Sequence, residues 1–246
     1  MASLPFYQDH FGKNVILKSR GIIGTALVNI YAPIQKINWA ATFFMAFQLD
    51  ITSSNIADTT ASTGARTIVI YGLDTDYNPL VETINLAGQT KITTVNSFRR
   101  VFAAYVTIAG TGEVNAGDIY IVKTGTGGTY TAGVPGTLTS AVIKMLTGDS
   151  LGYSGVWTVP RGMQYKMYNF TPSGNKAAGV QIMTGYPAAN ECRGPFSIYK
   201  VNVGVGVGAA NVPTDLYLNE KQDIYTQGIA LAATTTVDIL INLVKV

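Results

Sequence analysis

The chain of 246 residues carries 17 Lys and Arg against 14 Asp and Glu, with 13% charged and 47% hydrophobic residues and a formal charge of +3. That charged share is about half the ~25% usual in soluble domains, and with the high hydrophobic share it excludes a disordered chain and a coiled coil. One cysteine and one histidine exclude a disulfide scaffold and a Cys/His zinc module, and the small, scattered charge excess gives no argument for nucleic acid.

Taken in chain order, the opening Met1 to His10 has neither a basic start nor an apolar stretch of signal-peptide length. Residues 1–12, with Pro5, Phe6, Tyr7 and Phe11, read as an N-terminal arm. Asn14 to Leu17, Thr25 to Tyr31 and Trp39 to Ile51 suit strands. The apolar run Trp39 to Phe47 is about half the ~20 residues a membrane helix needs, so it reads as a buried strand. Arg66 to Gly72 is β-branched and ends in glycine, and Asp74 to Pro79 is a cluster of turn formers. Leu80, Glu82, Ile84 and Leu86 then alternate with Val81, Thr83 and Asn85, so strand, turn and strand follow in sequence.

Gln89 to Val95, Arg100 to Ile108, Asp118 to Lys123 and Met163 to Phe170 continue the period of two. Val237, Ile239, Ile241 and Leu243 put one apolar face on a last strand, which left unpaired would invite aggregation and is therefore expected inside a sheet. Ser140 to Leu146 and Leu216 to Gln222 read as short turns of helix without convincing caps. From Thr124 to Ile143 no residue is charged, and its Gly/Thr/Pro core suits a long surface loop or a linker. Val201 to Ala210 alternates Val with Gly, as a strand with one bare face does. The expected fold is all-β: an antiparallel β-sandwich, jelly-roll-like, with the N-terminal arm and long Gly/Thr-rich loops. Residues 13–246 form its single domain, with a subdivision near 124–140 left open.

Candidate chemistry is thin. His10 and Cys192 lie far apart, and a catalytic base within the first dozen residues would be unusual. Asp74-x-Asp76-x-Asn78 begins like a calcium loop, but Pro79 and Asn85 stand where its Gly and Glu are needed, so turn chemistry is the reading. Gly125-Thr126-Gly127-Gly128 and Gly204-x-Gly206-x-Gly208 lack the Lys-Ser/Thr ending and helix of a phosphate loop. Asp215, Glu220 and Asp223 surround Lys221 and read as a solvated turn, and Arg99-Arg100 beside Phe98 as a strand end or subunit contact. No catalytic, cofactor or metal residue is assigned.

The run Thr63-Gly64-Ala65-Arg66-Thr67-Ile68-Val69-Ile70-Tyr71-Gly72-Leu73-Asp74-Thr75-Asp76-Tyr77-Asn78 carries a resemblance. So do Glu82 to Gly88, Val95 to Arg100, Ala116 to Ile119 and the Tyr-rich strands after Val159-Pro160-Arg161-Gly162. Over about residues 60–170 the chain resembles β-rich virion structural proteins of tailed bacteriophages, many of them from aquatic environments. The resemblance implies a non-enzymatic part of the particle located in the virion: a capsid decoration or cement protein stabilising the head, or a piece of tail or fibre with a carbohydrate-binding role in host adsorption. The partners it implies are other virion proteins such as the major capsid protein; the low charge count itself points to further copies of the chain, as a trimer, and the charge and the short apolar run to no nucleic acid and no membrane. Few charges and many small residues suit such an assembly independently. An enzyme is the third alternative and would need a pocket with convergent acid and base groups.

Overall fold

The computed structural model describes residues 11, 13–23, 28–29, 45–138, 141–185, 196–203, 206–207, 216–231 and 235–246. In chain order the strands are β1 (Asn14–Ile23), β2 (Val28–Asn29), β3 (Leu49–Ser53), β4 (Ala65–Leu73), β5 (Pro79–Asn85), β6 (Ile92–Thr93) and β7 (Arg100–Ala109). Next come β8 (Ile119–Lys123), β9 (Tyr130–Thr131), β10 (Val134–Pro135), β11 (Ala141–Met145), β12 (Leu151–Tyr153) and β13 (Val156–Thr158). The chain continues with β14 (Tyr165–Gly174), β15 (Ala178–Gly185), β16 (Phe196–Val203), β17 (Gly206–Val207), β18 (Leu216–Leu218), β19 (Asp223–Ala230) and β20 (Thr235–Lys245). The pairings are antiparallel, and no helix occurs among the described residues, so the all-β expectation holds.

The chain divides into two compact units, one built on Ile37–Ser154 and the other on Gln8–Lys36 with Gly155–Val246. The division falls between Ser154 and Gly155 rather than near 124–140, so 13–246 is not one compact body.

The first unit has two four-stranded sheets, ordered β11-β8-β3-β6 and β12-β7-β4-β5. One core takes side chains from both: Leu49, Ile51, Ile119, Ile121, Ile143 and Met145 from one, Ile68, Ile70, Ile84, Val101, Ala104 and Val106 from the other. Each buried Val, Leu, Ile or Met side chain among them stabilises by roughly 1.5–3 kcal/mol relative to exposure. β5 keeps the alternation read from sequence, with Glu82 and Ile84 buried and Val81, Thr83 and Asn85 exposed. The turn before it is the Asx type expected: Asp74 Oδ1 accepts from the amides of Asp76 (2.8 Å) and Asn78 (2.9 Å). Tyr77 there has φ +67 and lies beneath the Arg99 guanidinium, 4.8 Å from its ring centre. Arg100, its neighbour, is 1% exposed at the start of β7.

The glycine-rich stretch is no linker. Its β9–β10 hairpin turns on Ala132 and Gly133, both at positive φ (47 and 75), as a two-residue primed turn requires. A Cβ on Gly133 would meet the Ser53 carbonyl at 1.8 Å, so the hairpin tip lies against the end of β3. The Thr124 hydroxyl and Gly125 amide donate to the Asp50 carboxylate on the same strand. β3 is consequently buried along its whole length.

The second unit has two five-stranded sheets. One is ordered β1-β20-β14, with β17 and β18 both on the far edge of β14; the other is β19-β15-β16, with β2 and β13 both on the outer edge of β19. β20 sits between β1 and β14 and buries Val237, Ile239, Ile241 and Leu243, the face read from sequence. In β14 a register shift between Met167 and Asn169 lets Tyr165, Met167 and Phe170 all point inward, although simple alternation would turn Phe170 out. Trp157 of one sheet meets Tyr165 of the other edge-on, with ring centres 5.0 Å apart.

The units share one strand order. Counting β2/β13 and β17/β18 each as one interrupted strand, the second unit has eight positions in chain order, paired 1-8-3-6 and 2-7-4-5. In the first unit, setting β9–β10 aside and counting β11 and β12 as positions 1 and 2 with β3 to β8 after them, the sheets again read 1-8-3-6 and 2-7-4-5. It is the same order with the chain begun at the third position.

Both short helices expected from sequence are corrected. Ala141–Met145 is a strand on β8 and Leu216–Leu218 a strand on β14. The β-branched pair Val142-Ile143 and a ready strand edge outweigh weak helix propensity. The arm at residues 1–10, most of Thr25 to Tyr31, Trp39 to Phe44, and Gly204 and Gly208 lie outside the described residues.

Candidate functional site

In the first unit four loops converge at one end: 54–64 (β3 to β4), 86–91 (β5 to β6), 110–118 (β7 to β8) and 146–150 (β11 to β12). Two polar side chains, both 0% exposed, tie them together. Asp58 accepts from the Ser53 hydroxyl (2.5 Å) and the Ala65 amide (2.7 Å) near its own loop. Across the end it accepts from the amides of Ala116 (2.7 Å) and Gly117 (2.9 Å). Its carbonyl accepts from Gly88, which brings in the third loop. Asn115 closes the fourth: its amide nitrogen donates to the carbonyls of Gly117 and Leu146, both at 2.7 Å, and its oxygen accepts from the Ser150 amide (2.8 Å). A buried carboxylate is costly unless hydrogen-bonded, and four donors offset that cost. Glycines permit the approach: a Cβ on Gly64 would sit 2.3 Å from Asp58 Oδ1, and one on Gly110 would sit 2.1 Å from the Ser62 carbonyl.

The same end holds Asp118, whose carboxylate takes Lys144 (2.7 Å) and the amide and hydroxyl of Thr147. Burial pushes the Asp118 carboxyl up, but Lys144 and the Thr147 donors outweigh it and hold it below the ordinary aspartate value of 3.8. On this fixed frame stand exposed apolar side chains: Ile56 at 71%, Val114 at 37% and Leu146 at 38% exposure, with Ile108 at the end of β7. A rigid end bearing apolar groups loses little ordering entropy on docking, which suits an interaction surface.

Two further carboxylates of this unit are likewise occupied. Glu82 accepts from the amides of Val95 (2.7 Å) and Asn96 (3.0 Å) and from the Asn96 side chain. Asp50, 1% exposed, accepts from Thr93 (2.8 Å), Thr124 (3.1 Å) and Lys91 (3.2 Å). Burial raises the Asp50 carboxyl, and Thr93, Lys91 and Gly125 together bring it below its ordinary value. The side chains singled out in the sequence do not converge. Asp74 and Asp76 belong to the turn, Glu220 accepts from the Gly162 amide at 2.7 Å, and Asp223 holds the Thr158 hydroxyl. His10, Cys192 and Asp215 lie outside the described residues. Among the described residues no three His, Cys, Asp or Glu gather as metal ligands, and no helix is long and apolar enough to cross a membrane. Sequence reading missed Asp58 and Asn115, because most of their partners are backbone amides and carbonyls, up to 59 residues away.

No protein-family model matches the chain, and no curated protein matches it. Among solved structures it is similar to an isomalto-dextranase of Arthrobacter globiformis T6 complexed with panose, at 12% identity and TM-score 0.21, covering 93% of this chain and 34% of that one. It is also similar to the infectious bursal disease virus Gx strain structure, at 6% identity and TM-score 0.17, covering 98% and 78%. A VP2 subviral particle of that virus gives 8% identity and TM-score 0.14, covering 99% and 83%. The chain spans about a third of the dextranase's length. Likenesses of this size fix neither fold nor activity.

Proposed function

We propose that this chain is a non-enzymatic structural protein of a bacteriophage virion, a capsid decoration or cement protein that works as a homo-oligomer, a trimer, on the major capsid protein. The observation that carries the reading is the strand order. Pairing 1-8-3-6 and 2-7-4-5 is that of a jelly roll, two four-stranded sheets made by wrapping a long hairpin, and viral capsid and lectin domains use it. On this reading the second unit is a jelly roll interrupted within its second strand, between β2 and β13, and the first unit is a permuted jelly roll carried in that interruption.

The side chains support the same class. Asp50, Asp58, Asp74, Glu82 and Asp118 of the first unit hold strands, loops and turns, and at its loop end the apolar Ile56, Val114 and Leu146 are exposed alongside polar side chains such as Glu113 and Asp149. Apolar burial at ~25 cal/mol per Å² outweighs surface ion pairs at ~0–1 kcal/mol each, so assembly through this end is expected to resist salt. A test is the release of the protein from purified particles at graded salt. Retention into molar salt, with density for the chain on the head surface, supports the cement role; density on the tail transfers the chain to the alternative reading. That alternative, a tail or fibre protein binding carbohydrate, is favoured by one observation: Tyr168 (49%) and Tyr217 (43%) are exposed together on adjoining strands of the second unit.

A further inference from the structure

The register shift in β14 of the second unit does more than fill the core. Met167 and Phe170 both turn inward, so the two residues between them, Tyr168 and Asn169, both turn to the outer face of the sheet. Tyr168 is 49% exposed there. Asn169 stands opposite Asn242 of β20, and Ile241 and Leu243 on either side of Asn242 are buried in the core, so the two asparagines share the outer face. The Cβ atoms of such a cross-strand pair lie about 4.5–5.5 Å apart. Asn242 is 8% exposed, yet among the described residues no group hydrogen-bonds its side-chain amide or that of Asn169. A nearly buried amide without a protein partner is an exception in folded proteins. The described side chains next to the pair are uncharged: Thr171 and Leu240 on one side, Val244 on the other. Lys166, opposite Val244, already lies over the Tyr217 ring, 5.6 Å from its centre.

We propose that Tyr168, Asn169 and Asn242 form a binding site for a neutral saccharide, a polymer of uncharged sugars. The exposed tyrosine offers a flat apolar face to the C–H face of a sugar ring and a hydroxyl at its rim. Each asparagine amide supplies donors and an acceptor side by side, and a sugar hydroxyl both donates and accepts, so two facing amides suit neighbouring hydroxyls of one ring. An acidic sugar would set its carboxylate against amide carbonyls, with the nearby Lys166 already engaged. A nucleic acid fits less well, because its binding draws on phosphates neutralised by Lys and Arg, and the described side chains around the pair are neutral. The inference rests on the carbohydrate-binding reading above and adds the site and the neutral class of sugar.

Full-length protein is tested by biolayer interferometry at about 150 mM salt against dextran, mannan and laminarin, with polygalacturonate and oligo-dT beside them. The expected result is binding of at least one neutral polymer about tenfold or more tighter than polygalacturonate and oligo-dT. Tyr168→Ala and Asn242→Ala should each weaken it about five- to tenfold while circular dichroism and oligomeric mass stay unchanged. Tyr168→Phe, which keeps the ring, should stay within about twofold of the parent chain. Asn169→Ala, at a half-buried position, keeps the test sound if the Asn242 variant misfolds, and a loss of affinity is expected there too. Neutral-polymer binding that Tyr168→Ala and Asn169→Ala leave unchanged overturns this site and leaves carbohydrate binding standing. Polygalacturonate bound as tightly as the neutral polymers overturns the neutral specificity. Binding to none of the saccharides overturns both the site and the carbohydrate reading, and tighter binding of oligo-dT replaces the saccharide with a nucleic acid.

Discussion

In the unit built on Ile37–Ser154, eight Asp and Glu stand against six Lys and Arg, and in the other unit six stand against eleven. The difference in use is larger than the difference in number. Asp50, Asp58, Glu82 and Asp118 of the first unit turn inward and hold strands and loops through short hydrogen bonds. Lys13, Arg161, Lys221 and Lys245 of the second stand exposed at one end. With the same strand order in both, the fold does not dictate where charge goes. Charge placement separates a unit with several carboxylates built into its frame from one with several cations at its surface.

The contrast is sharpest at Asp58. Asp58→Ala leaves the amides of Ala65, Ala116 and Gly117 without their acceptor in a buried site, and a loss of about 3 kcal/mol or more is expected. Arg161→Gln in the second unit should change stability by less than ~0.5 kcal/mol. Urea unfolding of both variants checks this, and equal effects would erase the distinction between the units. Next in size is Gly117→Ala. The added Cβ would meet Asn55 Cβ at 2.6 Å and its amide at 2.7 Å, so roughly 1–3 kcal/mol should be lost, read in the same urea series.

Acid acts on the first unit through two of its carboxylates. Asp50 and Asp118 have carboxyl groups held below their ordinary 3.8, so their contribution is complete above that value and is lost as pH falls through the lowered ones. Melting temperature should therefore hold on acidification to about pH 4 and then drop, and Asp118→Asn should flatten the drop. A melting temperature insensitive to pH from 5 to 2 would show that these pairs do not hold the first unit. The smallest effect is a gain. Ala132 sits at φ +47, where an L side chain is strained, and Ala132→Gly should stabilise by up to ~1 kcal/mol, seen as a small rise in melting temperature.

The period-two reading located β4, β5, β7 and β20 well, because each buries one face or both against a core and carries β-branched residues where that core lies. Ala141–Met145 and Leu216–Leu218 were not legible, since short strands take their identity from the edge they join, and those edges come from distant segments. The boundary between the units was hidden for a different reason. β12 ends at Tyr153 and β13 begins at Val156, so only Ser154 and Gly155, at φ +75, separate them, without the run of small polar residues that marks a linker. The Gly/Thr stretch that looked like a linker instead covers β3, through the Gly133 approach to Ser53 and the bonds to Asp50. Of the candidate site, the apolar Ile56, Val114 and Leu146 were visible as residue types, but their gathering at one end depends on the bonds by which Asp58 and Asn115 join four separate loops.

The central claim is that the chain assembles with itself through apolar surface, including the loop end fixed by Asp58 and Asn115. Light scattering on the purified protein at low and at molar salt measures it directly, with the double variant Ile56→Asp/Leu146→Asp beside the parent chain. The account predicts a trimer mass at both salts for the parent and a folded monomer for the variant. A parent chain that is monomeric at both salts, or a trimer that salt alone dissociates, contradicts it.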